Sequence, residues 1–188
     1  MSEMNPMKNV MVDLETLGRR AGCSVLSIGA VAFDADTGKL GPEFYTVIKV
    51  ASCEEVGLHT DPETVAWWEK QSPEAQKVLK QARAARGNKP LDKALVLFNE
   101  YLHQFGARSV QVWGNGSDFD NAILINLYAA TGVKNGWEFW NNRCFRTLKN
   151  LAPQIKTERT GTYHNALDDA KTQALHAIKV FKHLKGGK

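Results

Sequence analysis

Three short segments, far apart in the chain, carry acidic side chains at spacings that suit metal chemistry. The first is Asp13-Leu14-Glu15, at the end of an apolar run. On a strand, residues i and i+2 point to one face, so two carboxylates stand side by side. A buried pair of like charges is costly unless a cation offsets it. Val10, Val12 and Leu14 favour an interior strand, although a solvated strand end would present the same pair. The second segment, Asn115-Gly-Ser-Asp118-Phe-Asp120, follows an apolar run ending at Trp113. Gly114 and Gly116 permit a sharp turn, and Asp118 and Asp120 then fall at a helix start. Acidic residues there also suit the helix dipole, which accounts for one of the two.

The third segment is Tyr163-His164-Asn165-Ala-Leu-Asp168-Asp169-Ala170. A helical His164 would share a face with Asp168 at i+4. With Asn165 as N-cap, His164 instead lies in the preceding loop. Asp168 then helps satisfy the helix start, and Asp169 is free to point elsewhere. Asn is a good cap and Gly161-Thr162 marks a loop, so the second arrangement is preferred. Carboxylates suit hard cations such as Mg²⁺ or Mn²⁺, whereas Zn²⁺ favours His or Cys. An imidazole, ordinarily titrating near about 6.5, is the side chain that takes a proton from water around neutral pH.

These residues need a scaffold, and the chain supplies a legible one. Val10 to Glu15 reads as a strand, Ser24 to Phe33 as a second, and Phe44 to Val50 as a third after the Asp36-Thr-Gly-Lys39 turn. Three strands in this order suggest an antiparallel meander. Thr60-Asp-Pro-Glu63 opens a helix carrying Val65, Trp67 and Trp68. Ser72-Pro-Glu opens another, to about Ala85. Leu91, Ala94, Leu95, Phe98, Leu102 and Phe105 form the apolar stripe of a third. Ser109 to Trp113 reads as a strand, Asp118 to Thr131 as a helix, and Ala166 to Leu184 as the last helix. Trp137 to Phe145 is ambiguous between strand and loop. A meander followed by alternating strands and helices is an α/β arrangement, a mixed sheet with helices on its faces.

The 188 residues fit one domain, 1–188, with a core over about 8–184 and short tails. With 43% hydrophobic and 23% charged residues, the composition is that of an ordinary globular protein. The net charge of +4 is compatible with a polyanionic partner. Cys23, Cys53 and Cys144 are odd in number and widely spaced, which argues against a disulfide framework and for a reducing, cytoplasmic location. The opening MSEMNPMKNV lacks the order of a signal peptide, and no stretch reaches the apolar length of a membrane span.

Taken together, Asp13-Leu-Glu15-Thr16, Asn115 to Asp120, and His164 to Ala170 resemble the DEDDh 3′–5′ exonucleases over about residues 10 to 180. The block MVDLETLGRRAGCSVLSIGAVAF (11–33), with DPETVAWWEKQSPE (61–74), resembles more specifically the mycobacterial-type exoribonuclease-like domain that many phages carry. The resemblance implies a ribonuclease H-like fold, a five-stranded mixed β-sheet flanked by α-helices. It implies Asp13, Glu15, Asp120 and Asp169 as ligands of two divalent cations, Mg²⁺ or Mn²⁺, and His164 as general base. Asp118 and Asp168 fall off the motif. The implied reaction is phosphodiester hydrolysis from the 3′ end of single-stranded DNA or RNA. The alternatives are a catalytically silent nucleic-acid-binding module and a phosphohydrolase of dinucleotides or very short oligonucleotides.

Substrate contacts are expected from Leu14 and Leu17, which flank the first motif, from Asn115, and from Trp67. Consecutive residues on a helix point about 100° apart, so Trp67 and Trp68 divide between cleft and core. The run Lys77, Lys80, Arg83, Arg86 and Lys89 suits either a phosphate backbone or a solvated helix face. Trp137, Phe139 and Trp140 suggest a hydrophobic contact, with a second subunit (a homodimer) as one reading.

Overall fold

Along β1 (Asn9–Thr16), Val10, Val12 and Leu14 alternate with Met11, Asp13 and Glu15, and that alternation places two chemistries on two sides of a sheet. The computed structural model describes residues 7–159 and 161–186; the remainder of each tail lies outside the described residues. β2 (Val25–Phe33) and β3 (Leu40–Val47) continue as antiparallel neighbours. β4 (Gln111–Gly114) and β5 (Asn142–Cys144) join the other edge in parallel, giving the order β3-β2-β1-β4-β5. The acidic strand is thus the central one.

On one face, Val10, Val12, Leu14, Ile28 and Ala30 pack against α4 (Leu91–His103) and α5 (Ala122–Thr131), through Leu95, Phe98, Leu102, Ile123 and Leu127. On the other, Met11, Val31, Phe33 and Trp113 meet α6 (Phe145–Asn150) and the long α7 (Ala166–Leu184). The buried face of α7 is Ala166, Ala170, Ala174, Ala177 and Val180. Such small side chains let the helix axis lie close over Asp13 and Glu15.

That approach needs glycine at position 29, which pairs with Asp13 across the sheet. A Cβ there would collide with main-chain atoms of Ala166 and Leu167, the first residues of α7. Backbone cannot swing aside as a long side chain can. Gly29→Ala is therefore expected to push the start of α7 outward, at about 1–3 kcal/mol, or roughly 2–12 °C in Tm at this chain length. Thermal melting checks it. A Tm within about 1 °C of wild type would show that the contact is loose.

Several boundaries differ from those expected. β3 starts at Leu40 and ends at Val47, and Val50 opens a short helix, α1 (Val50–Glu54), instead of closing a strand. The Ser24 and Ser109 strands begin one and two residues later, at Val25 and Gln111. α2 (Pro62–Trp68) starts on its proline, and α3 (Gln76–Arg83) follows a turn in which Ser72 accepts from the Ala75 and Gln76 N–H groups. Residues 117–121 form one turn of π-helix before α5. The ambiguous 137–145 stretch resolves into a 3₁₀ turn (Phe139–Asn141), β5, and the start of α6. Trp137 is buried, donates to Asn142 Oδ1 and meets Tyr128 edge-on, whereas Phe139 and Trp140 are exposed. Among the described residues, no helix is long and apolar enough to cross a membrane.

Candidate active site

The ends of β1, β4 and α7 converge on one open cleft of about 790 Å³. Asp13 and Glu15 form its floor, and His164 and Asp169 its wall. Ligand atoms of Glu15, His164 and Asp169 all lie within 4.8 Å of one another. Asp13 Oδ1 accepts a 2.7 Å hydrogen bond from Gln173 Nε2. Asp120 sits deeper, only 3% exposed, and its Oδ2 accepts from the Asn115 N–H at 2.9 Å.

Each placement has a local cause. β4 ends at Gly114, where a Cβ would press on Asp120 and Asn121, and Gly116 turns the chain at φ 128°. The π turn that follows is tied down by Asn121, whose Nδ2 donates to Val112 O and to Asn142 Oδ1. The outcome is that Asp120 points inward and Asp118 outward. Asn165 caps α7 as expected, accepting from the Leu167 and Asp168 N–H groups. Asp168 accepts the Thr162 N–H at 2.8 Å and so fixes the loop, leaving Asp169 to face the cleft. His164 lies in the loop at φ 61°, a left-handed conformation uncommon outside glycine and concentrated at functional sites. Its ring is held edge-on to Trp67 at 4.9 Å and to Trp68 at 5.9 Å.

The electrostatics are those of uncompensated negative charge. Burial, reinforced by Asp120, Glu15 and Asp169, raises Asp13 well above the usual carboxylate range, against the pull of the Gln173 hydrogen bond. Burial, then Asp169 and Asp120, pushes Glu15 up to about 8. Burial carries Asp120 up to about 7 despite the Asn115 N–H. It raises Asp169 too, with Arg159 working against it. Four carboxylates that resist ionising together, with one imidazole beside them, fit hard divalent cations in chemistry and number. Gln173 Oε1 and Asn115 Oδ1, buried and without hydrogen-bond partners among the described residues, are further oxygen acceptors around this cleft.

The expected substrate contacts divide. Trp67 is 43% exposed and lines the cleft; Trp68 also borders it but is buried, and donates from Nε1 to Thr16 O. Leu14 and Asn115 also line it. Leu17 does not; it is fully buried among Leu26, Val47 and Trp68, so its expected contact with a terminal base is corrected to a core role. Lys77, Lys80, Arg83, Arg86 and Lys89 are exposed and lie away from the cleft wall. The cations that do line it are Arg19, Lys149 and Arg159. Sequence reading passed over Lys149, Arg159 and Gln173. Gln173 had a signal, since it stands four residues after Asp169 on the same helix face.

A family model described as the 3′–5′ exoribonuclease Rv2179c-like domain matches residues 8–181. The exodeoxyribonuclease of Enterobacteria phage T4 is 26% identical over 167 residues, covering 75% of this chain and 70% of that protein. The zinc-bound E. coli ExoI–ssDNA complex superposes with a TM-score of 0.67 at 15% identity, over 97% of this chain but 42% of its own. This chain thus spans less than half the length of that enzyme. The nuclease domain of 3′hExo, a DEDDh family member bound to rAMP, matches with a TM-score of 0.60 at 14% identity, over 98% and 96% of the two chains. At such identities the structural likeness concerns the fold, and the fold is theirs: a five-stranded mixed sheet flanked by helices, ribonuclease H-like. With the family model spanning nearly all of it, the chain belongs to the Rv2179c-like 3′–5′ exoribonuclease domain family.

Proposed function

We propose that this chain removes nucleotides from the 3′ end of single-stranded DNA or RNA. In this reading Asp13, Glu15, Asp120 and Asp169 hold two divalent cations, Mg²⁺ or Mn²⁺, and His164 acts as general base. The observation that supports it most is the meeting of Asp13 and Glu15 with His164 and Asp169 around one cleft, with Asp120 buried beside them and ligand atoms of Glu15, His164 and Asp169 within 4.8 Å of one another. Divalent cations bound there supply positive charge at the scissile phosphate and make its attacking water more acidic. The protein's own groups do the rest. His164, its ring braced by Trp67 and Trp68, takes the proton from the water. Trp67 offers a face on which the terminal base stacks, Leu14 and Asn115 border it, and Lys149, half-buried with no ion pair among the described residues, receives a phosphate.

The direct test is a 5′-labelled single-stranded oligonucleotide, as matched DNA and RNA, with Mg²⁺ or Mn²⁺ and with chelator. A ladder shortening from the 3′ end, abolished by chelator, is the expected result. Binding without cleavage would identify a silent binding module. Product from dinucleotides alone would identify a phosphohydrolase of short substrates.

His164→Ala is expected to slow that ladder by about 10²–10⁴, the usual contribution of a positioned acid–base group. Metal binding by Asp13 and Asp120 should survive. A purified variant with the wild-type rate would remove His164 from the mechanism.

A further inference from the structure

Resting on the nuclease reading above, we propose that Arg159 has two positions: it is the counter-ion of Asp169 while the acidic cluster lacks a divalent cation, and it turns to a non-bridging oxygen of the scissile phosphate once a cation takes Asp169. Three observations lead there. Arg159 Nη2 is ion-paired to Asp169 Oδ1, with the two side chains only 24% and 14% exposed. Asp169 is also a corner of the Glu15–His164–Asp169 triangle, whose atoms lie close enough to share one ion. A guanidinium and a divalent cation cannot both hold that carboxylate without facing each other across a few ångströms. Arginine cannot relieve the repulsion by losing a proton, so moving away is the relief open to it.

The second observation is that contacts other than the ion pair also hold the guanidinium at the cleft wall. The guanidinium carbon sits 3.9 Å above the Tyr163 ring, and Nη2 also donates to Thr162 O at 3.1 Å. These contacts keep Arg159 at the cleft wall when the ion pair breaks. Residues 155–159 belong to no helix or strand, so no helical geometry fixes the side chain's direction. The third is that Arg159 Nε is buried with no hydrogen-bond partner among the described residues, although Arg159 lines the cleft. Nε and one Nη together make the planar fork that fits a phosphate bidentately. The resting pair leaves half of that fork unused.

Two substitutions and two measurements test this. The first measurement is Mn²⁺ binding by titration calorimetry without nucleic acid; the second is kcat at saturating Mn²⁺. Arg159→Gln is expected to bind Mn²⁺ about 5- to 50-fold more tightly, because the competing cation is gone, and to lose about 10²–10³ in kcat. Arg159→Lys keeps the competing charge and loses the fork. Its Mn²⁺ affinity should stay near wild type while kcat still falls. A structural clamp that merely shapes the site would give the reverse for Arg159→Gln, weaker Mn²⁺ binding. Weaker or unchanged affinity in Arg159→Gln overturns the competition, and unchanged kcat overturns the phosphate contact. No Mn²⁺ uptake by wild type or either variant would instead bring down the metal-site reading and this inference with it.

Discussion

Asp13→Asn is expected to take turnover below detection and, at the same time, to raise the melting temperature of the metal-free protein. Both effects have one cause. Burial opposes the ionisation of Asp13, and Asp120, Glu15 and Asp169 all add to that. An amide has nearly the same shape and no charge to desolvate. Its oxygen can still accept the hydrogen bond that Gln173 Nε2 now gives to Oδ1. The neighbouring carboxylates then ionise more easily, because one repulsion is gone. The amide cannot replace the charge that holds a divalent cation, so the site that gains stability loses its chemistry. Thermal melts in chelator near pH 8, beside the oligonucleotide ladder, would show this exchange. A variant melting below wild type in chelator would mean that Asp13 is not carrying uncompensated charge. A variant cutting at the wild-type rate would mean that it is not part of the site.

What could be read from the residues, and what could not, follows from the range of the interactions. Asp13 and Glu15 were legible because a strand's period of two is local, and the apolar residues between them fixed the face. Asn165 as N-cap was legible because capping acts within three residues, and it settled the direction of Asp168 and Asp169 together. The choice between Asp118 and Asp120 depended on the π turn and on Asn121 reaching Val112 and Asn142. Spacing leaves that choice open; the family motif, which points to Asp120, agrees with the buried position. Leu17 looked like Leu14 in sequence and differs only in tertiary surroundings, buried under Trp68 and Leu26. Arg159 is farther still from a local signal. It sits on irregular chain, and nothing in its neighbours announces an ion pair ten residues along the chain. α6 was missed because its six residues are too few for a helical period to show against β5 just before it. Lys149 was lost with it.

The metal-free protein is expected to become less stable as pH rises, which is opposite to the behaviour of most acidic groups in folded proteins. The usual paired carboxylate has a lowered pKa and loses its contribution as pH falls. Here Glu15 is carried from 4.5 to about 8 and Asp120 from 3.8 to about 7, both chiefly by burial. Between those limits the folded state holds protons that the unfolded chain has already released. Raising the pH therefore favours unfolding. The contribution of these groups is complete below about pH 4 and disappears as pH passes through roughly 7 to 8. Asp34 runs the other way, lowered by its Thr37 and Asp36 hydrogen bonds, but it lies in an exposed turn and has little weight. For Glu15 alone the shift corresponds to a few kcal/mol, or about 10 °C in Tm for a chain of this length.

A divalent cation changes the sign. It binds the ionised carboxylates, so its stabilisation grows over the same interval in which the metal-free protein weakens. Calorimetric melts at about pH 5 and about pH 8.5, each with chelator and with Mn²⁺, should give curves that nearly meet at the acid end and separate widely at the basic end. A chelated protein whose Tm is flat across that range would show the carboxylates to be solvated and unstrained. An Mn²⁺ effect equal at both ends would show that the ion binds elsewhere. Either result would leave Asp13, Glu15, Asp120 and Asp169 as neighbours without a common ligand.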